Sequence, residues 1–242
     1  MFRAGSAEGA DVDIDITTRQ LAAHPSRGVL DREERVVKDG ILRMGSLVET
    51  QIREAVRAVA ERDAVTAAAV IASDERINDA QREIADTIVT TIATQGPVAR
   101  DLRFLMSLDH VAFELERIGD HATSIAKQVR FLAGESYLHH AAGLVSMGQL
   151  AADQVRGVVG ALIDVDDRAA REVAAKDDDI DHLYRKTFGD LIDLMRTDPE
   201  TVEPGTRLIL AAHWIERIGD RVTNIAEDIV YLATGQIEDL NP

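Results

Sequence analysis

The sequence predicts an all-α protein made of two tandem, pseudo-symmetric three-helix bundles with six long helices. Two observations support this prediction. From about residue 30 onward, apolar residues recur three and four positions apart, which is the spacing of amphipathic helices. The second half then repeats the first, because the pentapeptide Glu-Arg-Ile-Gly-Asp at 116–120 returns at 216–220, and Met-Gly at 44–45 returns at 147–148.

The first bundle is expected to contain three helices separated by recognisable turn residues. Helix one runs from about residue 30 to residue 62, and Asp63 is a good N-cap for helix two. Helix two ends at Gln95, because Gly96-Pro97 places a glycine just after one helix and a proline in the first turn of the next. Helix three then extends to near Gly134.

The same three helices are expected again in the second half of the chain. Pro199 and Pro204-Gly205 replace Gly96-Pro97 as the break before the last helix. The predicted repeat units are therefore 29–135 and 136–242. Residues 1–28 are rich in glycine, alanine and aspartate, a composition that predicts a flexible N-terminal tail.

Composition and charge restrict the classes of partner and compartment. The formal net charge of −16 argues against nucleic acid, which binds basic surfaces. The absence of cysteine excludes disulfides and thiolate metal sites. The sequence contains no apolar run of about 18 residues and no charged-then-apolar leader, so neither direct membrane insertion nor export is predicted. These features favour a cytoplasmic protein.

Each copy of the pentapeptide carries a Glu and an Asp four residues apart, and each has a counterpart in the helix before it. Like charges so placed weaken an isolated helix by about 0.2–0.5 kcal/mol, and a mid-helix glycine costs about 1 kcal/mol relative to alanine. When each second helix folds back antiparallel on the third, the two pairs lie at nearly the same height. The residues predicted to bind metal are Asp74, Asn78, Glu116 and Asp120 in the first unit and Asp177, Asp181, Glu216 and Asp220 in the second.

The oxygen-bearing side chains at each predicted site suit a hard cation. Mg²⁺, Mn²⁺, Ca²⁺ or iron would fit them, and zinc is less favoured without histidine or cysteine. Asn78 removes one charge from the first site, so the second site is expected to bind more tightly. Two alternatives remain open: acidic stretches on helices are usually solvated faces, and Arg117 and Arg217 could simply pair with the acids.

The remaining polar and aromatic residues predict no catalytic centre. His121 becomes Arg221 in the second copy, which argues against an obligatory ligand; the histidines without repeat-related partners are His110, His182 and His213. Trp214 is expected to pack against neighbouring helices, and Gly119 and Gly219 to permit close helix approach. The chain has no Ser/His/Asp grouping, no phosphate-binding glycine loop and no pair of Glu-x-x-His motifs, so it is not predicted to be an enzyme.

These motifs resemble the PhoU family of phosphate-uptake regulators. The resemblance rests on the two pentapeptides, on Pro-Val-Ala-Arg-Asp-Leu-Arg at 97–103, and on Asp-Pro-Glu at 198–200 followed by Glu-Pro-Gly at 203–205. It implies a pair of three-helix bundles that each carry a cluster of iron or another divalent ion. The eight residues named above would be its ligands, four in each bundle. It also implies a cytoplasmic homodimer that negatively regulates a sensor histidine kinase and couples it to the phosphate ABC transporter and its ATPase.

Three functions follow from these considerations. The first is a non-enzymatic regulatory adaptor of phosphate uptake with metal bound by paired acidic motifs. The second is a metal-dependent hydrolase or oxidase, which would need an open coordination position and a nearby general base. The third is a purely structural helical adaptor that carries no metal.

Overall fold

The structure, a computed structural model, describes residues 27–132 and 141–240, and the regular secondary structure within them is entirely helical. The all-α prediction is therefore confirmed. Short 3-10 helices at Lys127–Phe131 and Pro199–Thr201 accompany seven α-helices in the described residues. Their bounds are α1 Arg27–Glu61, α2 Ala64–Gln95, α3 Ala99–Ala126, α4 Ala142–Asp164, α5 Asp167–Ala174, α6 Asp177–Thr197 and α7 Val202–Thr234. The predicted tail lies outside the described residues except for residues 27 and 28, which begin α1.

The helices form two three-helix units, α1 to α3 and α4 to α7, as predicted. One departure is that the second helix of the second unit is interrupted, with Ala175 and Lys176 separating α5 from α6. Asp177, Asp178 and Asp179 then form the first turn of α6. Three consecutive acids are unfavourable inside a helix but favourable at an N-terminus, where the helix dipole is positive. Another departure is that α3 ends at Ala126 and continues as a 3-10 helix.

Both units use the same turn between their first and second helices. Arg62 and Val165 occupy equivalent positions, with φ values of 55° and 52° in the left-handed region. Each is followed by an aspartate N-cap, Asp63 accepting from the Val65 and Thr66 amides and Asp166 from the Ala169 amide. A left-handed residue ends one helix and an aspartate starts the next, so the turn is compact in both copies.

The two units pack on each other through α1 and α4 and share one hydrophobic core. Gly45 of α1 faces Val159 of α4, and Gly148 of α4 faces Val56 of α1. A Cβ atom on Gly148 would lie 2.5 Å from Val56 Cγ2, which is closer than packed carbons allow. The two glycines therefore let the helices approach closely, and the paired contacts show the pseudo-twofold relation between the units.

The third helices, α3 and α7, also pack across the same pseudo-twofold relation. On one side His121 stacks on Trp214, with 5.2 Å between ring centroids and 25° between the planes. On the related side Arg221 Nη1 lies 3.3 Å from Oε2 of Glu114, whose residue is only 2 % exposed. The two contacts occupy related places but differ in chemistry, since one is an aromatic stack and the other a buried ion pair. None of the helices in the described part of the chain has the length and apolarity needed to cross a membrane.

Candidate metal sites

The second unit brings its four predicted ligands to one level of the α6–α7 hairpin. Asp177 and Asp181 lie one turn apart on α6, and Glu216 and Asp220 lie one turn apart on α7. A Cβ atom on Gly219 would overlap the Asp177 carboxylate. The glycine of the second pentapeptide therefore makes room for an acidic side chain from the facing helix. Sequence reasoning predicted close helix approach here, and the structure identifies a carboxylate as the group that comes close.

Burial and like charge perturb this second cluster strongly. The Asp177 side chain is almost completely buried, at 4 % exposure, and burial together with the charges of the other three carboxylates raises its pKa to about 7. Burial also raises the pKa of Glu216, with added effect from Asp220 and Asp181. Burial raises the pKa of Asp220 as well, although Arg217 opposes the shift. The four acids therefore interact electrostatically, and their negative charges are mutually unfavourable without a cation.

Arginines partly neutralise the acids, as one of the sequence-based alternatives anticipated. Arg217 Nη1 lies 3.3 Å from Asp220 Oδ2, and Arg185 Nη1 lies 3.6 Å from Asp181 Oδ2. Asp177 is surrounded chiefly by other carboxylates, and no arginine is among the principal influences on its pKa. The two arginines therefore contact Asp181 and Asp220, which are the more exposed members of the cluster.

The first unit arranges its acids differently. Thr123 Oγ1 donates to Asp74 Oδ1 at 3.0 Å, and Gln51 Nε2 contacts Thr123 Oγ1 at 3.1 Å and Asp74 Oδ1 at 3.4 Å. Burial raises the pKa of Glu116, with further contributions from Asp120 and Asp74. Asp74, Glu116 and Asp120 therefore lie close enough to interact. Asn78 follows Asp74 by one turn of α2 and is half-buried.

Arg117 is more engaged in the first site than Arg217 is in the second. Arg117 Nη1 lies 3.0 Å from Asp120 Oδ2, and its Nε lies 3.6 Å from Glu116 Oε2. Arg117 thus contacts both acids of its own pentapeptide. The first site has three acids, of which two contact an arginine, whereas the second site has four, of which two contact an arginine.

Sequence reasoning missed the buried polar residues behind the acids. Gln51 and Thr123 are repeated as Gln154 and Thr223. In the second unit both amide atoms of Gln154 and the Thr223 hydroxyl are buried without a hydrogen-bond partner among the described residues. Buried polar atoms usually have partners, so these groups mark a place where a polar ligand would fit. The signal was present in the sequence, since both residue types recur at equivalent positions.

The chemistry of the residues fits a cation, although preformed coordination is not present. No three His, Asp or Glu side chains within residues 27–132 and 141–240 are arranged to hold a metal ion. The donor oxygens are nevertheless those that hard cations prefer, and the Asp177 carboxylate among them is buried. Burial and the nearby arginines lower the pKa of His121 to about 4, so its ring is neutral between the two sites.

Comparison with known proteins gives the family. The family model for the PhoU domain matches the chain twice, over residues 41–129 and 144–229. The chain belongs to the PhoU family. A Clostridium acetobutylicum relative named phosphate-specific transport system accessory protein PhoU homolog is 35 % identical over 217 residues, covering 89 % of this chain and 99 % of the relative. A Rhizobium meliloti relative with the same name is 37 % identical over 206 residues, covering 85 % of this chain and 87 % of the relative.

Solved PhoU structures share the fold of this chain. The crystal structure of PhoU from Pseudomonas aeruginosa superimposes with a TM-score of 0.81 and 33 % identity, covering 85 % of this chain and 99 % of that one. The phosphate transport system regulatory protein PhoU from Streptococcus pneumoniae gives a TM-score of 0.80 and 31 % identity, covering 87 % and 99 %. The two matched PhoU domains fall within the two three-helix units described above.

Proposed function

We propose that this PhoU protein is a cytoplasmic negative regulator of phosphate uptake and of the phosphate-starvation response. In this role it acts as an adaptor between the phosphate ABC transporter, through its ATPase, and a sensor histidine kinase. The names of the relatives support the role, since they are an accessory protein and a regulatory protein of phosphate transport. The observation that carries the proposal is the pair of PhoU domains over most of the chain. These names describe accessory and regulatory proteins, which agrees with a protein that is not an enzyme.

The adaptor role is tested by deleting the gene and measuring expression from a phosphate-starvation promoter in phosphate-rich medium. We expect expression to rise in the deletion strain and to return to the repressed level when the wild-type gene is restored. Normal repression in the deletion strain would contradict the role. Co-purification of the sensor kinase and the transporter ATPase with the tagged protein then tests the two partners separately. We also propose that the protein is a homodimer, and light scattering tests this proposal.

We further propose that each unit binds a metal ion on its acidic residues, iron or another hard divalent cation. The buried Asp177 carboxylate and the interacting charges around it support this assignment in the second unit. Asn78 leaves the first unit with three acids where the second has four, and Arg117 contacts two of those three. The second site is therefore the tighter one, and its residues would supply Asp177, Asp181, Glu216 and Asp220 as oxygen ligands.

Elemental analysis of gently purified protein tests the metal sites. We expect stoichiometric metal in the wild type, a large loss in Asp220→Asn, and a smaller loss in Asp120→Asn, because the second site binds more tightly. Arg185→Gln is a matched control, since it removes a charge contact to Asp181 without removing a donor oxygen. Wild-type protein without stoichiometric metal would contradict the metal proposal and favour a structural adaptor.

A further inference from the structure

A basic pocket lies at the junction of the two units, away from the acidic sites. It has a volume of about 240 Å³ and is formed by the beginning of α1, the beginning of α3, the turn after α4 and the end of α7. Its cationic lining residues are Arg27, Lys38, Arg100 and Arg103, and its acidic ones are Glu34 and Asp101. Four cations against two carboxylates stand out in a chain with a net charge of −16.

Two of the cations are occupied and two are available. Arg27 forms a two-point contact with Asp101, at 2.8 Å and 3.2 Å, and Lys38 Nζ donates to the Ile163 carbonyl at 3.0 Å. The side chains of Arg100 and Arg103 have no ion-pair or hydrogen-bond partner among the described residues. Both are exposed and lie in the first turns of α3, where the helix dipole also favours an anion.

The pocket also contains a buried acceptor. Glu34 Oε1 is shielded from solvent and has no hydrogen-bond partner in the described part of the chain. Burial raises the pKa of Glu34, and the neighbouring Asp101 adds to the effect. A carboxylate in an anion site repels a fully deprotonated anion, but it accepts a hydrogen bond from one that keeps a proton. At neutral pH inorganic phosphate keeps such a proton and sulfate does not.

The repeat offers an internal comparison for this pocket. Positions 100 and 103 of the first unit correspond to Glu200 and Glu203 of the second, which reverses both charges. The two available positive charges of this pocket are therefore specific to the first unit of this chain. Val165 and Leu232, which also line it, belong to the second unit. A ligand in this pocket would contact both halves of the molecule.

We infer that this pocket binds a phosphate group, with Arg100 and Arg103 as its cationic contacts and Glu34 as the acceptor for a protonated phosphate oxygen. Arginine suits this task because its planar guanidinium donates two parallel hydrogen bonds to phosphate. The inference goes beyond the proposed regulatory function and does not depend on it.

Calorimetric titration of the full-length protein with inorganic phosphate, in chloride buffer at low ionic strength, tests the inference. We expect saturable binding at one site and at least tenfold weaker binding of sulfate. Arg100→Glu/Arg103→Glu, which copies the second unit, should weaken phosphate binding at least tenfold. Glu34→Gln should lower the preference for phosphate over sulfate. A parallel titration with AMP identifies the source of the phosphate group, because tighter binding of AMP would indicate an organic phosphate.

A charge-matched control separates a local site from a general charge effect. Arg43→Glu/Lys186→Glu makes the same change in net charge at two exposed residues that do not line the pocket. This control should bind phosphate within about twofold of the wild type, since screening weakens distant charges. Equal loss in both double variants, equal affinity for phosphate and sulfate, or phosphate binding that disappears only when metal is stripped would each overturn the inference.

Discussion

Replacing Asp177 by asparagine should stabilise the metal-free protein and weaken the metal-bound one. Asp177 is 4 % exposed, and its pKa rises from an ordinary 3.8 to about 7 because it is buried among other carboxylates. In the folded protein this group therefore holds its proton to higher pH than in the unfolded chain. Ionisation of Asp177 therefore opposes folding, and this unfavourable effect is complete above about pH 7. The stability of the metal-free wild type should fall as the pH rises from about 4 to about 7.

The size of the effect follows from the two pKa values. A rise from 3.8 to about 7 corresponds to about 4 kcal/mol of unfavourable free energy once the group is ionised. Asparagine removes that cost but also loses the attraction between a carboxylate and the N-terminus of α6, which is about 0.3–1 kcal/mol. We therefore expect Asp177→Asn to be more stable than the wild type by about 3–4 kcal/mol at pH 8 in chelator. The gain should disappear near pH 4.

Urea unfolding followed by circular dichroism, with chelator at pH 4.5 and pH 8, measures this prediction. The repeat-equivalent Asp74→Asn is the control, because Asp74 accepts a hydrogen bond from Thr123 and its replacement should cost about 1 kcal/mol. Added metal should stabilise the wild type by mass action and stabilise Asp177→Asn less. Lower stability of Asp177→Asn in chelator at pH 8 would refute the electrostatic account of the second site.

Three further predictions concern the scaffold. Gly148→Ala should lower the unfolding free energy by about 1–2 kcal/mol in urea titrations, because the added methyl group overpacks against Val56 and costs more than the better helix propensity of alanine recovers. Val56→Ala should reduce that loss when combined with Gly148→Ala. An unchanged unfolding midpoint for Gly148→Ala would contradict close packing at this position. Val165→Gly should raise the unfolding free energy by about 1 kcal/mol, because a β-branched residue is strained at a φ of 52°. A lower urea midpoint for this variant would contradict the strain. A hydrogen bond to Asp228, whose oxygen lies 2.6 Å from the His110 ring, raises the pKa of His110. The stability that this hydrogen bond contributes is therefore full below pH about 6.5 and is lost as the pH rises through the pKa of His110 in the folded protein. Asp228→Asn should flatten the dependence of stability on pH between about 6 and 8, and an unchanged slope would contradict this role of the hydrogen bond.

Much of the fold was readable because helices obey local rules. Helix two was predicted to end at Gln95 and does so, since Gly96 adopts the left-handed conformation that ends a helix. The interruption at residues 175 and 176 was not predicted, because the aligned repeats suggested a continuous helix. It depends on a competition between helix propensity and the placement of the acidic turn that begins with Asp177. Asp177 at the start of α6 approaches Gly219 of α7, and a contact between residues so far apart in the chain is not encoded in any local pattern.

The candidate metal sites were likewise predictable from the sequence only in part. The spacing along each hairpin placed the acidic pairs at matching height, because rise per residue is the same in every α-helix. It did not reveal that Thr123 and Gln51 hold Asp74 while Asp177 lies among carboxylates. Those partners come from α1 and from the far end of α3, so their contact depends on how three helices are rotated about their axes.

By itself the sequence determined the helices, their duplication and the residues that carry charge along each face, because these features follow from periodicity and from neighbours a few positions apart. Tertiary structure alone decided that α3 and α7 meet through His121 on Trp214 and Arg221 on Glu114. It also decided that Arg100, Arg103 and Glu34 line one pocket. These contacts join residues far apart in the chain, and their geometry depends on side-chain packing between units, which no local pattern encodes.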